Sequence, residues 1–103
     1  MTSKLIHVAD VDDLKDGEMK ALEVDDEQIC IINIKGNYYV ISNVCTHEGG
    51  PLNEGMLEGY EVECPWHGAR FDVRTGKVIS PPAEESVKVY KVRVDGNKVF
   101  IEK

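Results

Sequence analysis

Apolar and polar residues alternate along this chain in short runs of period two, the pattern of strands with one buried face. Residues 4–8 open the series, 18–24 and 27–35 follow across the acidic turn Asp25-Asp26, and Gly36-Asn37 breaks to the apolar run 38–41. A Gly-Asn pair between apolar runs is a strong hairpin signal. Near the C-terminus 86–94 alternates almost perfectly, and Asp95-Gly96-Asn97 turns it into a last strand over 98–101. Residues 10–17 read as a polar turn in which Asp10 is placed to cap a short helical turn over 11–14. No helix of ordinary length is written anywhere. The predicted class is therefore all-β, a small antiparallel β-sandwich or barrel.

Between about 43 and 82 the strand pattern thins. Five of the nine glycines crowd between Gly49 and Gly68, and all four prolines fall between Pro51 and Pro82. This composition predicts a loop-rich subdomain inserted in the β framework, too irregular for core packing and suited to wrapping a ligand.

At 103 residues the chain is expected to form one domain, 1–103, with a modest core and no need of disulfides. No uninterrupted apolar stretch exceeds four residues, as in Ile29-Cys30-Ile31-Ile32, so neither a membrane span nor a signal-peptide core is expected, and the default location is cytoplasmic. Three widely spaced cysteines do not make a secreted disulfide framework. Cys30, inside an apolar run, reads as a small buried hydrophobe. The net charge of −7 disfavours nucleic acid and anionic membranes and favours a protein partner with a basic docking surface.

The chemistry concentrates in two mixed pairs, Cys45-Thr46-His47 and, sixteen residues on, Cys64-Pro65-Trp66-His67. Each pair offers one soft thiolate and one imidazole, a ligand set that both zinc and iron–sulfur centres accept. Zinc folds usually space cysteine from cysteine and histidine from histidine, whereas here each pair is mixed and the first holds only one residue between its ligands. Gly49, Gly50 and Gly68 stand beside the ligands, where a missing Cβ lets backbone amides turn toward sulfur.

The flanks, Cys45-Thr46-His47-Glu48-Gly49-Gly50 and Cys64-Pro65-Trp66-His67-Gly68-Ala69-Arg70-Phe71-Asp72, resemble the two cluster loops of Rieske-type [2Fe–2S] proteins, and the resemblance spans essentially the whole chain. It implies one [2Fe–2S] cluster per chain, with Cys45 and Cys64 on one buried iron and His47 and His67 on the other, nearer solvent. Ser80-Pro81-Pro82 is similar to the proline-containing third loop that covers the cluster, the plain alternative being an ordinary turn before the last strands. Where the membrane-bound cytochrome bc type carries an extra cysteine in each loop, this chain has Gly50 and Trp66, so the disulfide of that class is excluded. Where it carries a Ser and a Tyr that donate to sulfur, this chain has Ala69 and Phe71. Fewer donors stabilise the more negative reduced state less, which places the potential toward the lower end of the roughly −150 to +300 mV Rieske range.

The resemblance thus implies a low-potential Rieske-type ferredoxin, not an enzyme. It would be a one-electron carrier, expected as a monomer, filled by a reductase and emptied into an oxygenase or similar redox enzyme. The alternatives are a small fixed subunit of an assimilatory nitrite reductase, a structural zinc module, and a sensor switched by cluster oxidation. The lone remaining histidine, His7, reads as a half-exposed strand residue and leaves too few ligands for a mononuclear oxygenase iron. Trp66 offers either a surface for a redox partner or loop packing. Glu48, Glu54, Glu58, Glu61 and Glu63 form either a docking rim or scattered solvated carboxylates, Arg70 and Arg74 read as surface residues, and Tyr38 and Tyr39 as strand packing. Introducing Ser at Ala69 together with Tyr at Phe71 is expected to raise the midpoint potential measured by redox titration; an unmoved or lowered potential would refute the hydrogen-bond argument.

Overall fold

The computed structural model describes residues 4–46, 49–66, 68–81 and 85–102. Six strands form one antiparallel sheet: β1 (Leu5–Asp10), β2 (Met19–Val24), β3 (Glu27–Ile34), β4 (Asn37–Ser42), β9 (Val89–Asp95) and β10 (Lys98–Glu102), in the order β1-β10-β9-β4-β3-β2. A second sheet holds four three-residue strands in simple meander order, β5 (Met56–Glu58), β6 (Glu61–Glu63), β7 (Arg70–Asp72) and β8 (Val78–Ser80). Among the described residues no helix is long and apolar enough to cross a membrane.

The alternating runs explain the first sheet. Although β1 and β2 lie at opposite ends of the strand order, Val8 and Ala9 of β1 share one buried cluster with Val24 of β2. The sheet therefore curls round this cluster into a nearly closed barrel, as antiparallel sheets do to hide their edges. A bulge between His7 and Ala9 turns the consecutive residues Val8 and Ala9 both inward.

β3 has no exposed face beyond its first two residues. Ile29 and Ile31 fill the barrel, while Cys30, Ile32 and Ile34 point the other way into a second cluster with Leu52, Val62, Phe71 and Val73. That second cluster overturns the expectation that 43–82 is too irregular to pack: Leu52, Val62, Ala69, Phe71 and Val73 are all fully buried. Strands of three residues are too short to display a period of two, so the pattern alone missed them.

The turns differ from expectation in detail. The β3–β4 hairpin turns at Lys35-Gly36, with φ of 52° and 85°, and Asn37 is already paired with Ile34. The two-residue loop needs positive φ at both central positions, and this register puts the glycine at the second of them. Residues 11–14 form a turn and no helix: the Asp13 carboxylate accepts from the Asp10 N–H at 3.0 Å, the reverse of the expected cap. The last hairpin's first strand begins only at Val89, and although Val87 is buried, Val89 is exposed and Tyr90 takes the inward position.

Arg74 and Asp72 brace the small sheet. Arg74 reaches Asp72 through Nε at 3.2 Å and a terminal nitrogen at 2.9 Å, and its guanidinium lies 4.3 Å over the Tyr60 ring, which meets Tyr39 edge-on at 6.1 Å. Those hydrogen bonds hold the Asp72 carboxyl below the usual carboxylate range. Arg74 is exposed, as expected, and through Tyr60 it also braces the small sheet toward Tyr39 of β4. Gly59 and Gly76 both adopt positive φ, but a Cβ at Gly59 meets nothing within 4 Å whereas one at Gly76 would lie 2.2 Å from the Val87 carbonyl oxygen. Gly59→Ala should cost about 1 kcal/mol in denaturant unfolding, the left-handed penalty alone, and Gly76→Ala distinctly more; equal costs would contradict the crowding argument.

Candidate metal centre

The two sequence pairs sit in loops built to one pattern. The first leaves β4 through Asn43, whose side-chain amide donates to the Asn53 side chain at 2.9 Å while its carbonyl Oδ1 accepts from the Asn53 backbone N–H at 2.8 Å. Val44 bridges to Pro51, and within that gate the Cys45 N–H donates to the Gly50 carbonyl at 2.9 Å and the Gly49 N–H to the Cys45 carbonyl at 2.9 Å. The second loop caps the β6–β7 hairpin. Here the Cys64 N–H donates to the Ala69 carbonyl at 2.7 Å and the Gly68 N–H to the Cys64 carbonyl at 3.3 Å.

In both loops, then, the cysteine carbonyl is bonded by the fourth residue on and its amide by the fifth. The fourth residue is in each case a glycine in the left-handed region, Gly49 at φ 76° and Gly68 at φ 75°. The closing geometry matches even though one pair is Cys-x-His and the other Cys-x-x-His. In sequence the histidine stands two residues after the cysteine in the first loop and three after it in the second. His47 and His67 lie outside the described residues, as does Glu48.

Cys45 and Cys64 are both buried, belong to the same cluster as Phe71 and Leu52, and carry thiols with no disulfide. Gly50 shows how closely the loops approach: a Cβ there would lie 2.8 Å from Cys64 Sγ and 3.1 Å from the Trp66 ring. The backbone of one loop therefore presses directly on the sulfur of the other. Two soft donors in facing, glycine-relieved loops, with water excluded behind them, fit an iron–sulfur group. The same contact brings positions 50 and 66 side by side, where this chain has no cysteines.

Cys30 also lies in this cluster. Burial pushes its thiol up to about 12, so it stays protonated and acts as a hydrophobe, as expected. His7 is half-exposed on β1, its Nε2 2.8 Å from an Asp10 carboxylate oxygen and its ring 5.6 Å from that of Phe100. Tyr38 donates to the Val11 carbonyl, and Tyr39 packs on the second cluster.

The pairing of Ser80 with Arg70 sets the start of the proline segment beside the second loop, and Thr46 Oγ1 donates to the Glu85 carbonyl at 2.7 Å, tying its far end to the first. Pro82 lies outside the described residues. Arg70 is no loose surface residue: it bonds Glu63 at 3.0 Å and lies 3.6 Å from Glu61, which raises its pKa and engages two of the five glutamates. Neither the Asn43–Asn53 pair nor the Thr46 contact leaves a sequence signal, because each joins residues by a contact that spacing does not encode.

Comparison with known proteins places this arrangement. Residues 4–91 match the Rieske [2Fe-2S] domain family. The ferredoxin component of naphthalene 1,2-dioxygenase/salicylate 5-hydroxylase systems from a Ralstonia species is 36% identical over 101 residues, 98% of this chain and 97% of that protein. The ferredoxin of carbazole 1,9a-dioxygenase from Nocardioides aromaticivorans superposes with a TM-score of 0.92 at 37% identity, over 96% of this chain and 97% of the other. A chain from a complex of reduced oxygenase and oxidised ferredoxin in carbazole 1,9a-dioxygenase gives 0.88 at 29% identity, over 93% of this chain and 99% of its own.

Replacing Gly50 by Ala inserts a methyl group where Cys64 Sγ sits. The expected result is protein with much reduced iron content and visible absorbance per chain at an unchanged far-ultraviolet spectrum; full incorporation would show that the close approach is not required.

Proposed function

This chain belongs to the Rieske [2Fe-2S] domain family, and on that premise we propose that Cys45, His47, Cys64 and His67 hold one cluster and that the protein carries single electrons from a reductase to an oxygenase. The observation that carries this reading is the pair of matched loops, each presenting a buried cysteine and closed on a left-handed glycine, pressed together at Gly50 and Cys64. Bound there, the cluster supplies a one-electron centre whose imidazole ligands raise its potential above that of all-cysteine clusters.

The chain's own residues do the rest. Leu52, Val62, Ala69 and Phe71, all fully buried, wall the cysteine side off from water. Ala69 and Phe71 have no hydroxyl to offer toward sulfur, which favours a potential low in the Rieske range. Nothing in this set is a catalytic acid, base or nucleophile; the protein is an electron-transfer component and not an enzyme in its own right. With Cys45 and Cys64 committed to the cluster and Cys30 buried, no cysteine is left for a disulfide, and we place the protein in the cytoplasm as one domain with one cluster. The family assignment displaces the zinc reading.

Reductive titration under argon should consume one electron per chain and bleach the visible bands. Mixing the reduced protein with an oxidised dioxygenase oxygenase component should restore them, with the two proteins separating again on gel filtration. Uptake of two electrons or of none would overturn the carrier, and a complex that never separates would favour a fixed subunit.

A further inference from the structure

The chain enters its last hairpin through residues 85–88, which belong to no strand yet are held to three separate parts of the fold. The Glu85 carbonyl accepts from the Thr46 hydroxyl at 2.7 Å, inside the first loop. Two residues on, Val87 is buried in the same cluster as Cys45 and Cys64, and its N–H donates at 2.9 Å to the carbonyl of Gly76, in the β7–β8 turn. The Lys88 carbonyl then accepts at 2.8 Å from the N–H of Ser42, the last residue of β4, beyond which the first loop departs. Residues 85–88 are therefore a strap laid across the root of that loop.

Glu27, the first residue of β3, fixes the strap to the barrel. One oxygen of its carboxylate accepts from the Tyr90 hydroxyl at 2.7 Å and lies 2.9 Å from Lys88 Nζ, which also stands 4.8 Å over the Tyr90 ring. In the strand order β9-β4-β3, Glu27 and Tyr90 flank β4, so their bond reaches across it. The two bonds differ in weight. Lys88 is 60% exposed, and an ion pair at such a position contributes little. Tyr90 is buried, and a buried phenol donating to a carboxylate makes one of the stronger hydrogen bonds. Burial, and after it the bond to Glu27, raise the Tyr90 phenol above its ordinary value, so it stays protonated and donating at neutral pH.

Resting on the cluster reading above, we propose that Glu27 is a positioning residue for the first loop: it holds the strap through Tyr90 and Lys88, and the strap holds Thr46, which stands between Cys45 and His47 in the chain. The Asn43–Asn53 pair secures the root of the loop, and the Glu27 clamp secures its outer turn. Releasing the clamp opens the strap and leaves the barrel folded, because β3 and β4 stay paired from Ile29–Ser42 to Ile34–Asn37 and Ile29 and Ile31 keep their places in the barrel core. A side chain on the barrel thereby governs how firmly the cluster is retained.

Release of the cluster from the holoprotein to excess EDTA, followed by loss of visible absorbance, tests this. Glu27→Ala should speed release about tenfold, the scale of one charge-assisted hydrogen bond, and Thr46→Val by a similar factor. Since both act through one strap, the double variant should release no faster than the faster single variant, whereas independent losses would multiply. Glu27→Gln keeps an acceptor for the Tyr90 hydroxyl and should restore most of the retention. Val99→Ala, a truncation in the barrel core away from the strap, should leave the rate unchanged. Hydrogen exchange read by mass spectrometry should show protection lost over 85–90 in Glu27→Ala and kept over β10. Multiplying effects, normal protection over 85–90, or equal acceleration by Val99→Ala would overturn the proposal and leave Glu27 a general stabiliser of the barrel. Wild-type protein that takes up no cluster would instead sink the cluster reading, and the exchange over 85–90 would still show whether Glu27 holds the strap.

Discussion

Strand β3 divides its apolar side chains between two cores. Ile29 and Ile31 face the barrel, and Cys30, Ile32 and Ile34 face the loops, so one strand is the wall shared by both. A chain of 103 residues has too little apolar surface to close two independent cores. Sharing a wall solves this, since each buried aliphatic side chain contributes about 1.5–3 kcal/mol and none is spent on a solvent face. It also couples the two units: the loops rest on a strand whose other side is locked inside the barrel.

From that floor the loops gain a fixed spacing. The first leaves β4, hydrogen-bonded to β3 along its whole length, and the second caps a hairpin whose inward residues Val62 and Phe71 pack on the same floor. With both bases anchored, the gap between loops is set by what lies in it, and Gly50 lies close against Cys64 Sγ there. The same economy explains the outer face. Where backbone meets backbone or sulfur, glycine is obligatory, and the neighbouring large groups Val44, Trp66 and Met56 are left facing solvent.

Charge is distributed to match. Residues 10–27 carry nine acidic and two basic groups, 2 − 9 = −7, equal to the whole-chain excess, and they lie on the barrel rather than on the loops. In the small sheet, by contrast, Arg70 and Arg74 offset two of the three negative charges of Glu61, Glu63 and Asp72 locally. Long-range steering therefore comes chiefly from the barrel.

The sequence by itself determined the β class, the strands of five or more residues, and the two mixed Cys/His pairs with the glycines beside them. Those properties are local: a period of two needs only consecutive residues, and a ligand's chemistry belongs to its side chain. The four short strands, the shift of the β3–β4 turn to Lys35-Gly36, the brace from Arg74 to Tyr60, and the tie from Thr46 to Glu85 were decided only by the tertiary structure. Each depends on which distant segment comes to lie alongside, and a three-residue strand or a single hydroxyl has no pattern until that neighbour is in place. Gly50 shows the difference within one residue: its sequence position marks it as loop, but only the fold puts the sulfur of Cys64 where its side chain would have been.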